Sequence, residues 1–487
     1  MALLLVLAGG LAATLLLLTT LLRTLRSNLA AVPGPWYSRF THLVLKYHVM
    51  SGRRVFYVDD LHRRYGPIVR LTPEEVAVAD VGAFAQIHKI GSGFNKSAWY
   101  DSLTPNRSPG IFFMRDPHRH AARRRLFAQP FSNSALQRNW GAEIRSRVEI
   151  AVSRIRQDAL AGEADLLRWW TLMATDLITH LCFGESFRML EHGKQTPYID
   201  SVQLVFLKAA LQTEAYPLYL LAQLIPLKKV QSMVRSDEVV VSHGARAVRN
   251  MRNTSGNTQN LFGQMVAMAD NQDKTAVITE SDVAGEAGNL IVAGSDTTAV
   301  TLTYLVWAVL KRPALRRELE EEVAGLSEDL TFEELAQAPL LNSVIEETLR
   351  LYGAAPGALP RTVPPNGVDM LGYSLPGGTV VSTQAYTIHR DPDIFANPLE
   401  FDGRRFINPS ALTPAQKTAF HPFGAGSRVC LGVHLAYMEM RLAVALFFRQ
   451  CRGARVSESM TDEMMEEENR FLISPRGHCS WVTLQGH

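Results

Sequence analysis

Residues 423–432 read Phe423-Gly424-Ala425-Gly426-Ser427-Arg428-Val429-Cys430-Leu431-Gly432. Two glycines permit a tight turn with positive φ angles. An arginine stands two residues before a cysteine, a glycine two residues after it, and an apolar helical run follows from Leu431 to Phe448. A cysteine at a helix start meets free backbone N–H groups and the positive end of the helix dipole. Both favour thiolate over thiol. A thiolate offered from a glycine turn can be a metal ligand, a nucleophile or a redox thiol. The plain alternatives fit poorly. A lone cysteine is ordinarily a small core hydrophobe, which leaves the flanking pattern unexplained. Gly424-x-Gly426 lacks the third glycine of a dinucleotide fingerprint and follows no strand pattern. His434, Cys451, His478 and Cys479 do not stand at the spacing of a common zinc module.

Working outward, residues 281–310 form a long apolar helical pattern, with Thr279 and Asp282 as an N-terminal cap signal and Pro313 as the stop. Inside it lies Ala293-Gly294-Ser295-Asp296-Thr297-Thr298, a run of poor helix formers whose hydroxyls can bond back to the preceding turn. A weakened turn in a helix interior often marks a functional site. Thr331 with Glu334 signals a second helix start, and its pattern continues through Leu341–Tyr352 to Gly353. That stretch contains Glu347-Thr348-Leu349-Arg350, opposite charges three apart, which alone would be an exposed pair worth a few tenths of a kcal/mol. Residues 142–160 and 163–183 are also helical on spacing. Between Gly367 and Thr383, short apolar clusters punctuated by Gly372 and Pro376-Gly377-Gly378 predict hairpin strands. The body is therefore mainly α (α+β): helix-rich with a minor β-sheet.

The 487-residue chain is 47% hydrophobic and 20% charged, with a formal charge of +3. This composition supports a large globular core and excludes disorder, a polytopic membrane protein and a nucleic-acid footprint. Four cysteines exclude a disulfide scaffold. No charged residue occurs from Ala2 to Leu22, about the length that crosses a bilayer. Arg23 and Arg26 follow it and place that side in the cytoplasm. The expected organisation is an N-terminal transmembrane helix at 1–22, a basic and Pro-Gly-Pro hinge at 23–36, and a catalytic body at 37–487. The acceptor patterns at Asn95, Asn106 and Asn253 would go unglycosylated in a cytosolic body.

Phe423-x-x-Gly426-x-Arg428-x-Cys430-x-Gly432 resembles the haem-binding signature of the cytochrome P-450 family. The resemblance implies the cytochrome P-450 fold and haem b, with Cys430 as the axial thiolate on iron. It implies that Arg428 meets a propionate, Phe423 packs beside the sulfur and Gly432 lets the next helix approach the haem. Glu347 and Arg350, with Arg405 of Gly403-Arg404-Arg405-Phe406, resemble the family's core salt-bridge motif. Gly403 departs from the proline often found there. Asp296-Thr297 resembles the oxygen-activation pair, with Gly294 leaving room for O2. Arg361, and His120 with Arg124 one turn apart, would hold the propionates. By family position, residues 97–111, 202–227, 354–359 and 471–473 would line the substrate pocket. The implied activity is a monooxygenase of the microsomal, membrane-anchored type, on the endoplasmic reticulum membrane with a cytosolic body. It would take electrons from NADPH through NADPH–cytochrome P-450 reductase and oxidise a bulky apolar small molecule of secondary metabolism. Two alternatives stay open: an isomerase or peroxygenase on the same fold, and a non-enzymatic haem- or lipid-binding protein.

Overall fold

The computed structural model describes residues 28–103, 109–239, 260–264 and 280–484, with positions 15, 19 and 242 besides. The longer helices, in chain order, are α1 (Leu43–Met50), α2 (Arg54–Tyr65), α3 (Val81–His88), α4 (Pro117–Ala128), α5 (Asn133–Ala161) and α6 (Leu166–Phe183). Then come α7 (Pro197–Glu214), α8 (Tyr216–Leu224), α9 (Glu280–Leu310), α10 (Pro313–Ala324), α11 (Pro339–Tyr352) and α12 (Val433–Gln450).

Local chemistry sets several starts. Asp116 accepts from the N–H groups of His118 and Arg119, with Pro117 in the first turn of α4. Ser132 caps α5 and Asp165 caps α6. Both helices exceed the reading at one end or fall short of it: α5 begins nine residues before 142, and α6 three after 163. Pro313 does not terminate α9 but opens α10; α9 ends at Leu310. Thr279 lies outside the described residues, whereas Asp282 is held by Arg123, 3.1 Å away.

The core forms where α9 packs on α6, α11 and α12, and α5 packs on α6 and α12. Ala287, Ile291, Ala299, Leu302, Leu305 and Val309 of α9 are buried in one cluster with Trp170, Leu177 and Leu181 of α6. Among the described residues, the one helix long and apolar enough to cross a membrane is this one, over Gly285–Leu310. Its burial identifies it as the central core helix. The proposed span at 1–22 lies outside the described residues, apart from Leu15 and Thr19.

The sheet is small. β1 (Ile68–Arg70), β2 (Glu75–Val78), β3 (Asn95–Lys96), β4 (Arg361–Thr362) and β7 (Val380–Ser382) take the order β1-β2-β7-β4-β3, with β2 and β7 parallel. β5 (Val368–Met370) and β6 (Tyr373–Leu375) pair as a hairpin through Leu371 and Gly372, both at positive φ. That is the two-residue turn whose twist suits a hairpin. Val380 and Val381 belong to the larger sheet, not to this hairpin. β8 (Glu467–Arg470) and β9 (Leu472–Pro475) form a second hairpin.

The segment expected to be a hinge is docked onto the body. Leu29 and Val32 are buried with the sheet's apolar face. Arg70 of β1 donates to Pro33 O through its backbone and to Leu29 O through its guanidinium. Residues 28–36 thus pack with the domain that follows.

Candidate functional site

One cavity of about 1640 Å³ opens between α9 and the 423–432 loop. The loop is built as its glycines suggest. Gly424 and Gly426 both have positive φ, and the Cys430 N–H donates to Phe423 O at 2.8 Å. A Cβ on Gly426 would collide with the carbonyl of His88, so the loop also lies close against α3. Cys430 faces the cavity, with Phe423, Arg428 and Gly432 in its lining. A Cβ on Gly432 would meet no protein atom within 4 Å, so open cavity space borders the helix start.

Opposing influences act on the Cys430 thiol. α12 starts at Val433, past the sulfur. Burial raises the thiol pKa, and the Gly432 N–H and the Arg124 guanidinium oppose that rise without overcoming it. A coordinating cation would make Cys430 a thiolate, because a metal-bound thiol is deprotonated outright.

Phe423, at the start of the loop, packs its ring 5.3 Å from that of Tyr437.

Lys96, His120, Arg124 and Arg428 line one side of the cavity, with Arg361 close enough to act on Lys96 and Arg428. Arg124 donates to Val429 O at 2.8 Å, bridging α4 to the cysteine loop. Arg428 donates to Met114 O at 2.7 Å, and burial with Arg361 and Arg124 nearby lowers its pKa to about 10. Burial, then Arg428 and Arg124, drives His120 down to about 3. Arg361 is lowered by burial, and its Nε is buried without a partner. It stands behind the lining residue Pro360 and is not itself in the cavity wall.

Lys96 was not foreseen as part of the site. It is buried, its ammonium donates to Phe112 O, and it sits 4.0 Å over Tyr100 and 3.9 Å over Phe112. Burial, then Arg428 and Arg361, holds its pKa well below the lysine range. Among the described residues, none of Lys96, Arg124, Arg361 and Arg428 has a carboxylate at ion-pair distance. Buried cations without counter-charge are costly, and the cost vanishes if a dianionic ligand edge lies between them. Two haem propionates fit that need, while Cys430 supplies the axial donor. Lys96→Met should therefore raise the rate of haem loss to an acceptor such as apomyoglobin about tenfold, the scale of one charge-assisted hydrogen bond. An unchanged rate would reduce Lys96 to a packing role.

On the opposite wall, α9 is helical throughout, and its hydroxyls bond back one turn. Ser295 donates to Ile291 O and Thr297 to Ala293 O, both at 2.6 Å. Asp296 and Thr297 line the cavity together with Ala293. Burial raises Asp296 to about 6. Gly294 lines the cavity too, beside Ile178. A Cβ there would meet Ile178 of α6 at 2.8 Å, so this glycine permits the close crossing of α9 and α6.

The salt-bridge triad is buried, not exposed. Glu347 and Arg350 have fully covered side chains 2.8 Å apart, and Arg405 reaches Glu347 at 3.0 Å. Arg350 also donates to His389 O at 2.8 Å and to Pro398 O at 2.6 Å. Gly403 has a steric reason for replacing proline: a Cβ would meet Leu315 at 2.7 Å and Val344 at 3.2 Å.

Two buried acids left little trace in the sequence. Glu286 is fully covered, pairs with Arg123 at 2.8 Å and accepts from the Ile111 N–H, tying the loop before α4 to α9. Burial raises it to about 7. Its two partners, Ile111 and Arg123, lie more than 160 residues away in the chain, so no local signal marks it. Glu439 stands in the apolar face of α12, lines the cavity and is raised to about 8 by burial, which outweighs a bond from Thr298. A lone acid inside that apolar run was a readable hint.

The pocket segments also sort out. Residues 97–99 and 102–103, Ile111, Ala354–Leu359 without Pro356, and Phe471–Ile473 line the cavity. From 202–227 only residues up to Glu214 do so; Leu218, Leu221 and Leu224 of α8 are exposed. α1, not anticipated, contributes Leu45, Lys46 and Val49. Asn106 and Asn253 lie outside the described residues.

Comparison with known proteins agrees with this geometry. The cytochrome P450 family model matches residues 32–479. Cytochrome P450 monooxygenase aflV of Aspergillus parasiticus is 42% identical over 92% of this chain and 89% of its own. Cytochrome P450 monooxygenase stcB of Emericella nidulans is 40% identical over 93% and 88%. Methylphloroacetophenone oxidase of Cladonia uncialis is 32% identical over 75% and 83%.

Proposed function

Because this chain belongs to the cytochrome P450 family and is a P450 monooxygenase, we propose that it inserts oxygen into a bulky, apolar secondary metabolite. Its electrons would come from NADPH through NADPH–cytochrome P450 reductase. The observation that carries the reading is the convergence on one cavity of Cys430, the cations Lys96, Arg124 and Arg428, and the Asp296–Thr297 pair. Haem held there through Cys430 supplies reductive activation of O2 and transfer of one oxygen atom. The chain's own residues bind, shield and manage protons. Asp296, poised at about pH 6, can give and regain a proton near neutrality. The Thr297 hydroxyl is engaged with Ala293 O and must swing from that bond to donate into the cavity. The intact pair favours a monooxygenase over an isomerase or peroxygenase, which need no external electrons.

Thr297→Ala should leave haem content and substrate binding intact, lower product formation at least tenfold, and send the reducing equivalents to hydrogen peroxide. Peroxide yield per NADPH checks this, and unchanged coupling would remove Thr297 from the reaction. The function as a whole is tested with reductase, NADPH, O2 and a metabolite extract, scored by mass spectrometry for gain of one oxygen.

We also place the protein on the endoplasmic reticulum membrane, anchored by residues 1–22 with the body in the cytosol. The uncharged stretch followed by Arg23 and Arg26 supports this. So does an apolar surface: Leu43 and Tyr47 of α1 and Tyr216, Leu218, Leu221 and Leu224 of α8 are exposed. α1 packs against α7, which leads directly into α8. The name of the Cladonia relative supports an aromatic polyketide-like substrate over a terpenoid one.

A further inference from the structure

We propose that Trp99, Phe112 and Phe471 form an aromatic-ring subsite that makes the cavity select planar aromatic substrates over saturated ones of equal size. The inference rests on the monooxygenase reading and names the substrate class of that same cavity. The three rings come from different parts of the chain. Trp99 begins the short helix Trp99–Ser102, Phe112 lies in the loop before α4, and Phe471 is the tip of the β8–β9 hairpin. All three line the cavity. Phe471 lies 6.4 Å from Trp99 at 30° and 5.8 Å from Phe112 at 74°. These are the tilted and edge-to-face arrangements that aromatic rings favour, and a further flat ring can extend them.

The hairpin is built around this ring at a conformational cost. Arg470 pairs directly with Leu472, so Phe471 alone makes the turn, at φ +90°. A bulky residue at that angle is strained and persists only where its surroundings hold it. They do: Asn469 donates to Phe471 O at 3.2 Å, and the Ile473 N–H donates to Ala354 O at 2.9 Å. Glycine would relieve the strain, yet phenylalanine occupies the tip, about one-third exposed and facing the other two rings. Trp99 is held from its edge. Its indole N–H donates to Glu214 Oε1 at 3.4 Å, and Lys46 donates to Glu214 O at 3.2 Å, so α1, α7 and the Trp99 helix meet at one point. The wall is a preorganised surface with fixed tilt, unlike a generic apolar lining.

Equilibrium dialysis of the haem-loaded protein against 2-naphthol and decahydro-2-naphthol tests this, because the pair share size and hydroxyl but not the π-system. Wild type should bind naphthol about fivefold tighter, the scale of ring–ring preference beyond buried area. Phe471→Leu should bring the two ligands within about twofold, and Phe471→Tyr should keep the preference. Trp99→Leu leaves the hairpin alone and should weaken the preference as well, so the test survives if the hairpin variant fails to fold. Equal binding by wild type, or a preference that persists in both leucine variants, overturns the subsite. An aromatic preference without any oxygenated product would instead overturn the monooxygenase reading and leave the subsite standing.

Discussion

Cys430→Ala abolishes the red-shifted Soret band expected from the reduced wild-type protein under carbon monoxide. That band reports a thiolate on haem iron, and Cys430 is the one cysteine in the cavity wall. Cys182 and Cys451 are buried elsewhere in the core, with thiols that burial pushes upward. His88, His120 and His421 line the cavity and could offer nitrogen to haem in the variant, but an imidazole adduct absorbs at shorter wavelength. Oxygenation should fall below detection while overall helicity, read by circular dichroism, stays within error. A red-shifted band surviving in Cys430→Ala would mean that another sulfur holds the iron, and the site would have to be redrawn.

Glu347→Gln has the next largest expected effect, on accumulation of folded holoprotein. The substitution keeps the shape of the side chain and removes its charge. Glu347 receives two bonds from Arg350, two from Arg405 and one from the Asp402 N–H. Without the carboxylate, the guanidinium of Arg350 stays buried and uncompensated, a loss of about 3–5 kcal/mol. That is a large share of the 5–15 kcal/mol that typically holds a fold. The damage reaches the cysteine loop by a traceable route. Arg350 donates to His389 O, while His389 donates from Nδ1 to Arg350 O at 3.1 Å and accepts from the His421 N–H at Nε2, also 3.1 Å. His421 stacks on Phe84 at 3.7 Å and precedes Phe423 by two residues. The variant should lose haem occupancy and melt several degrees lower. Arg404→Ala, which removes the exposed pair with Glu318, should change stability by less than about 1 kcal/mol. Equal behaviour of the two variants would show that burial of the triad has no energetic consequence.

The contrast between those two ion pairs shows why the site was only partly legible. Glu347 and Arg350 have the same local spacing as any surface pair on a helix. Only the packing of residues 389–405 over them turns a marginal contact into a structural necessity. Gly294 has a second role that its sequence neighbours do not announce: besides lining the cavity, it lets Ile178 of α6 pack close. Lys96 and Glu286 were missed because a single charged residue in a mixed segment has no period and no motif. Its significance comes from losing water, which is a property of the folded surroundings.

The cysteine loop, the long helix bearing Asp296 and Thr297, the helix-rich class and the hairpin near Gly372 followed from the chain alone. Glycine turns, caps and apolar periodicity are local, and local chemistry is written in consecutive residues. Which charges are buried, which direction the Cys430 thiol shifts, and which rings meet at the cavity mouth were decided only by tertiary structure. Desolvation and contact between Trp99, Phe112 and Phe471 depend on segments hundreds of residues apart, and no local pattern encodes that approach.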